Sequence, residues 1–139
     1  MAKRKIFIPH AKKRGEWAEL RFLTRAVEFG LAIAKPFGDC SAYDFCIDRR
    51  GRLLRVQVKC TIFRRGNSYK CHLDSNGVPY DPSQIDFFAA YVIPEDAWYI
   101  LPIRATNRQA DILLTPDRAK SKYGKYQEAW HLLGVGSAG

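Results

Sequence analysis

The sequence is poor in acid and has no segment suited to a membrane. It carries 14 Asp plus Glu against 23 Lys plus Arg, for a formal charge of +9 and a pI near 9.6. A surplus of that size on so small a chain points to a polyanionic partner, because each neutralised phosphate releases condensed counterions and adds affinity. Nucleic acid leads. The sequence holds no 18-residue apolar run and no long basic amphipathic helix, so a membrane span is excluded and an anionic membrane surface is disfavoured. It also shows no signal-peptide hydrophobic region, so Cys40, Cys46, Cys60 and Cys71 are expected reduced, in a cytoplasmic setting shared with DNA. No C-x-x-C is present. The cysteine spacings of six, fourteen and eleven, even with His72 added, match no zinc knuckle, so buried structural thiols are expected.

There is also no internal repeat, low-complexity tract or domain linker. With 139 residues, 47% hydrophobic and 13% aromatic, the chain is expected to form a single domain over 1–139 with its own core. The basic arm at 1–13 contains Lys3, Arg4, Lys5, Lys12 and Lys13, with Arg14 next to it. It reads equally as a phosphate-contacting segment or as a solvated terminus. The tail at 135–139 is expected to be flexible.

"GEWAELRFLTRAVEFG" has helical periodicity and closes on Gly30 as a C-terminal cap. Ala18, Leu20, Phe22, Leu23, Ala26, Val27 and Phe29 share a broad apolar arc. Glu16 is expected in the first turn, where the helix dipole favours it. Glu19 falls inside the apolar arc without that excuse. Strands are expected at "LAIAKPFG", "YDFCIDRR", "RLLRVQVKCTIFRR", "YKCHL", "DFFAAYVI" and "AWYILPI", with hairpins at "RRG" and around "PED" and a loop at "SNG". Thr115 and Pro116 predict the start of a helix, and "YQEAWHLLG" predicts another ending at Gly134. The order is that of an α/β (α+β) sandwich with one sheet, a long N-terminal helix packed on it and C-terminal helices.

Alternation in "RLLRVQVKCTIFRR" separates Leu54, Val56, Val58, Cys60 and Ile62 from Arg55, Gln57, Lys59 and Thr61. In the preceding strand Tyr43, Phe45 and Ile47 form one row and Asp44, Cys46 and Asp48 the other. The hairpin predicts that Asp44 stands beside Gln57 and Lys59. If the first helix packs on that face, Glu19 reaches the same place. A buried carboxylate needs a cation. Glu19, Asp44 and Gln57 are hard oxygen ligands of the kind Mg²⁺ takes, with Mn²⁺ as a substitute, and Lys59 beside them suits a water or a developing phosphate charge.

"GEWAEL", "KPFGDCSAYDFCID" and "LLRVQVKCT" resemble the PD-(D/E)XK nuclease superfamily, and within it the branch of homing endonucleases encoded in group I introns. The resemblance spans about residues 12 to 103. It implies a restriction-endonuclease-like core with a central mixed β-sheet, and a Mg²⁺-dependent endonuclease acting on double-stranded DNA. Glu19 matches the family's first-helix glutamate, Asp44 its metal-binding aspartate, and Gln57 with Lys59 the variant of the (D/E)-x-K pair found in that branch. Tyr43 stands where Pro often precedes the aspartate, a backbone-packing position. Gln57 replaces an anion, which weakens cation binding and favours one Mg²⁺ held by Asp44, with Glu19 directly or through water. Cutting both strands needs two such sites, so a homodimer or a tetramer is expected.

Competing readings stand beside these. Glu19 pairs with an Arg at a helix edge, Asp44 serves a strand-entry turn, and Gln57 with Lys59 belongs to a solvated strand face. Asp39 and Ser41 are turn residues or approach the metal or DNA. Arg49, Arg50, Arg52, Arg64 and Arg65 contact phosphates or protect a strand edge. His10, His72 and His131 take structural or surface roles, and Trp98 and Trp130 belong to the core. The functional alternatives are a Holliday-junction or other structure-selective resolvase, a non-catalytic nucleic-acid-binding module and, distantly, a zinc-stabilised domain.

Overall fold

The computed structural model describes residues 5–38 and 40–134. Lys3, Arg4, Asp39 and the tail at 135–139 lie outside the described residues.

Helix α1 spans Ala11–Glu28, two to four residues earlier than the periodicity alone suggests. His10 is its N-cap, its ring nitrogen accepting the Lys13 N–H at 3.4 Å. The first turn therefore holds no acid, and Glu16 lies beyond it. At the other end Leu31 N–H reaches the Ala26 carbonyl at 3.0 Å and Gly30 N–H the Val27 carbonyl at 2.9 Å. This closure requires the left-handed φ of +78° that Gly30 supplies.

The strands follow as β1 (Ala32–Ala34), β2 (Phe45–Arg49), β3 (Arg52–Thr61), β4 (Phe63–Arg65), β5 (Ser68–His72), β6 (Phe87–Val92), β7 (Ala97–Pro102) and β8 (Asp111–Leu114). Two sheets form where one was expected. The first is mixed, in the order β1-β2-β3-β6-β7, with only β3 and β6 parallel; the second is antiparallel, β4-β5-β8. The expected long strand divides at Ile62, and its two parts join different sheets. The β2–β3 hairpin closes at Arg49 and Arg52 as expected, with Arg50 and Gly51 both at positive φ.

Three layers result. Ala18, Phe22 and Ala26 of α1 pack on Phe45, Ile47, Val56 and Val58, with Trp98 and Trp130 buried among them. The arc is narrower than its hydrophobicity implied, since Leu20 and Val27 are exposed. Phe22 stacks on Trp130 at 5.6 Å and meets Trp98 edge-on at 5.7 Å, contacts worth about 0.5–1.5 kcal/mol each beyond their burial. The other face of the mixed sheet packs on the second sheet through Phe88, Ala90, Tyr99, Tyr69, Cys71 and Leu114. Tyr43, ahead of β2, joins this second cluster and not the row of Phe45 and Ile47. Covered on both faces, β6 is apolar throughout, and its Ala89 and Ala90 let both layers approach.

The C-terminal helices are short 3-10 turns, Gly124–Tyr126 and Trp130–Leu133, and no helix starts at Pro116. Asp117 and Glu128 adopt positive φ of 64° and 53°, which interrupts any longer helix. The Glu128 carboxylate is used instead to accept Trp98 N–H at 2.8 Å and Trp130 Nε1 at 2.9 Å. Of the cysteines Cys71 is fully buried, whereas Cys40 is exposed, so the expectation of buried thiols fails there.

Candidate active site

The polar row of β3 is not a solvated face. It looks toward the second sheet, and each member has a partner. Arg55 donates to Asp86 at 3.0 and 3.2 Å and to the carbonyls of Ser83 and Pro82 at 2.6 and 2.9 Å. Thr61 donates to the Lys70 carbonyl, tying β3 to β5. Gln57 and Lys59 lie between these two anchors.

Asp44 sits one residue before β2, at the position the hairpin register sets opposite Gln57. Its Oδ2 accepts the Val58 N–H at 2.8 Å. With its amide nitrogen facing acceptors, Gln57 donates to the Ala42 carbonyl at 2.8 Å and to the same Oδ2 at 3.2 Å. Burial raises the Asp44 carboxyl; the Val58 N–H lowers it, the Glu19 charge raises it, and Lys35 and Lys59 lower it, for a net position of about 6. Among the described residues no side-chain ion pair engages it.

Lys59 turns its ammonium to the Asp74 carbonyl at 3.1 Å and sits 5.3 Å from the centre of the Tyr80 ring. Burial lowers its pKa, opposed by the nearby carboxylates of Asp44 and Asp74.

Glu19 reaches the group by a different route from the one expected. Helix α1 covers the Val56 and Val58 face, opposite Gln57 and Lys59. Pairing of β1 with β2 stops at Ala34 and Cys46, leaving the sheet open beside Asp44. Across that opening Glu19 acts on Asp44, and Lys35 bonds Glu19 at 3.5 Å while lying 4.9 Å from the Phe45 ring centre.

This donor set fits a hard divalent cation. Two carboxylates repel one another at the site, one of them is half-buried and outside the ion pairs of the described residues, and a neutral amide adjoins it. Among the described residues no three His, Cys, Asp or Glu side chains gather as a metal cluster, so a cation would have two carboxylates and neutral donors. The same fact leaves the zinc reading without a ligand set. His72 instead bonds Asp111.

The basic residues divide into groups. Lys12 and Lys13 are exposed at the start of α1, whose Arg14 carbonyl lies 3.9 Å from the Cys60 thiol beside Lys59. The Arg14 guanidinium holds the carbonyls of Ile8 and Pro9. Arg49, Arg50 and Arg52 lie at the other end of β3, about 17 Å from Gln57 at the usual strand rise. There Arg49 bonds the Leu132 carbonyl at 3.3 Å. Arg64 bonds the Gly66 carbonyl, and Arg65 borders a groove of about 780 Å³ with Lys70, Asp111 and Lys122 on the outside of the second sheet. That groove is away from Asp44 and Lys59. A group that acts on a polymer lying across the surface needs no deep cavity. No local pattern marks Lys35, Tyr80 or the Asp74 carbonyl, whose relation to the site depends on long-range folding.

The PD-(D/E)XK endonuclease family model matches residues 9–133, and the chain belongs to that family. A bacterial homing endonuclease, I-Ssp6803I, has a similar structure, with a TM-score of 0.74 and 30% identity over 91% of this chain and 92% of that chain. Hjc, a Holliday junction resolvase from the archaeal hyperthermophile Archaeoglobus fulgidus, has a TM-score of 0.59 over 88% of this chain and 97% of that chain; at 16% identity the likeness is one of fold. No curated protein matches the chain. No helix among the described residues is long and apolar enough to cross a membrane.

Proposed function

We propose that the protein is a divalent-metal-dependent endonuclease that cuts double-stranded DNA at a particular sequence, as a homing enzyme does. The observation that carries this reading is the geometry at Asp44, a half-buried carboxylate that accepts the Val58 N–H and the Gln57 amide and faces Glu19, with burial pushing its pKa up to about 6. The likeness to a homing endonuclease over nine-tenths of both chains supports the choice of substrate over a junction. Bound Mg²⁺, or Mn²⁺ in its place, would supply the positive charge a phosphodiester needs under attack and would acidify the attacking water.

Asp44 and Glu19 hold the cation. Gln57 fixes the Asp44 carboxylate and contributes a neutral amide to the cation's surroundings. Lys59 orients the water and stabilises charge developing on the phosphate. Lys12 and Lys13 contact DNA phosphates beside the reacting strand, while Arg49, Arg50, Arg52, Arg64 and Arg65 engage phosphates farther along the duplex. Arg14 acts through the segment it holds. One such site per chain cuts one strand, so the working form is a homodimer or a tetramer, acting inside the cell where the DNA is.

The test is cleavage of a mixed library of long duplexes, with and without Mg²⁺, by wild type and Lys59→Ala. Metal-dependent cutting at one sequence, lost in the variant, supports the proposal. Cutting of four-way junctions without sequence preference replaces it with a resolvase, and salt-sensitive binding without any cutting replaces it with a binding module.

A further inference from the structure

The segment between β5 and β6 lies outside the three stretches that carry the family resemblance, yet it supplies both contacts to the Lys59 ammonium. A lysine side chain carries about 2 kcal/mol of rotamer entropy, so holding its charge in one place requires something stiff. Asp74 to Val78 forms a tight turn. Ser75 and Val78 exchange backbone hydrogen bonds at 2.9 Å in each direction, and the Asp74 carboxylate accepts the Gly77 N–H at 2.9 Å. Asn76 and Gly77 take φ of 50° and 84°, the left-handed pair that a two-residue Asn-Gly turn requires.

Both ends of the segment are pinned. Leu73 N–H bonds the Ala110 carbonyl at 2.7 Å, and Arg55 clamps Pro82, Ser83 and Asp86. Between them Tyr80 stands edge-on to Phe88 at 5.7 Å, which fixes the ring beneath the ammonium. The Asp44 and Asp74 charges act on its hydroxyl, so the ring also lies toward the carboxylate.

We propose that Tyr80 is a positioning residue: its ring and the Asp74 carbonyl hold Lys59 at the reacting phosphate. The inference rests on the nuclease reading and adds a residue to it. A cation over an aromatic face is stabilised most when water is kept away, and Lys59 is half-buried.

Tyr80→Leu and Tyr80→Phe separate ring from hydroxyl, and Gly77→Val strains the turn without touching the ring. The first readout needs neither metal nor DNA: the NMR shift of the Lys59 ε-methylene, moved upfield by the ring in wild type. The second is the single-turnover cleavage rate at saturating DNA and Mg²⁺, with binding affinity measured alongside. Tyr80→Leu is expected to lose the upfield shift and to cut about tenfold more slowly with affinity within about twofold; Tyr80→Phe restores both. Gly77→Val is expected to slow cutting while the protein stays folded. Wild-type cutting by Tyr80→Leu, an unshifted methylene in wild type, or a Phe variant as slow as the Leu variant overturns the inference while the nuclease reading stands. An inactive wild type removes both readings.

Discussion

Two carboxylate and cation groups lie along one face of β3, and they are opposites. Arg55 and Asp86 form a fully engaged pair with two side-chain bonds, and a backbone N–H adds a third at 2.8 Å. Burial raises Asp86, but Arg55 outweighs it and holds the carboxyl below its usual range. Two to four residues farther on, Asp44 is raised to about 6 while Lys59 is lowered, and the ammonium bonds a carbonyl. The first pair has settled its charges internally. The second group has charge left to settle with something else, and in a family of endonucleases a cation and a phosphate are the candidates.

The contrast is broken most severely through activity. Lys59→Ala should lower the cleavage rate by about 10²–10⁴-fold while circular dichroism stays unchanged. Arg55→Ala should instead act on stability, because it leaves Asp86 without its partner and releases the Pro82–Ser83 segment. The expected loss is about 2 kcal/mol, read as a fall in melting temperature of roughly 8 °C.

Acid titration distinguishes the two carboxylates by sign. The folded pKa of Asp44 is raised from its usual 3.8 to about 6, so the stability it contributes is present below the lower value and lost as pH rises through the upper one. Between those limits the metal-free wild type should lose on the order of 2 kcal/mol relative to Asp44→Asn, as measured by urea unfolding. Asp86, lowered when folded, contributes in the reverse sense: its stability is lost as pH falls. The smallest effect is electrostatic tuning at Asp44. Lys35→Met should raise its pKa and Glu19→Gln should lower it, both by NMR titration.

Much of this was legible where the pattern is local. The period of α1, the Arg49–Arg52 turn and the alternation of β3 place Asp44, Gln57 and Lys59 on one face, and they are found there. Which face α1 covers was not legible, because both rows of a strand interior to a three-layer fold are covered, the apolar row more fully than the polar row. Glu19 was therefore expected over the polar row, and it acts instead across the opening where β1 leaves β2. The exchange of sheets at Ile62 was hidden in an unbroken β-like run. Asp86 and Tyr80 are distant in sequence from the residues they serve, and nothing in their neighbours marks them. At the C-terminus, left-handed Asp117 and Glu128 overrode a plausible capping signal.

The most direct test is the melting temperature of wild type and Asp44→Asn at pH 7, with and without Mg²⁺. Without the ion, the variant should melt higher by several degrees, since it removes a desolvated charge worth about 2 kcal/mol. Adding Mg²⁺ should raise wild type and leave the variant unmoved. A variant that melts lower in the absence of metal, together with a wild type indifferent to Mg²⁺, would contradict the account and make Asp44 a settled structural group like Asp86.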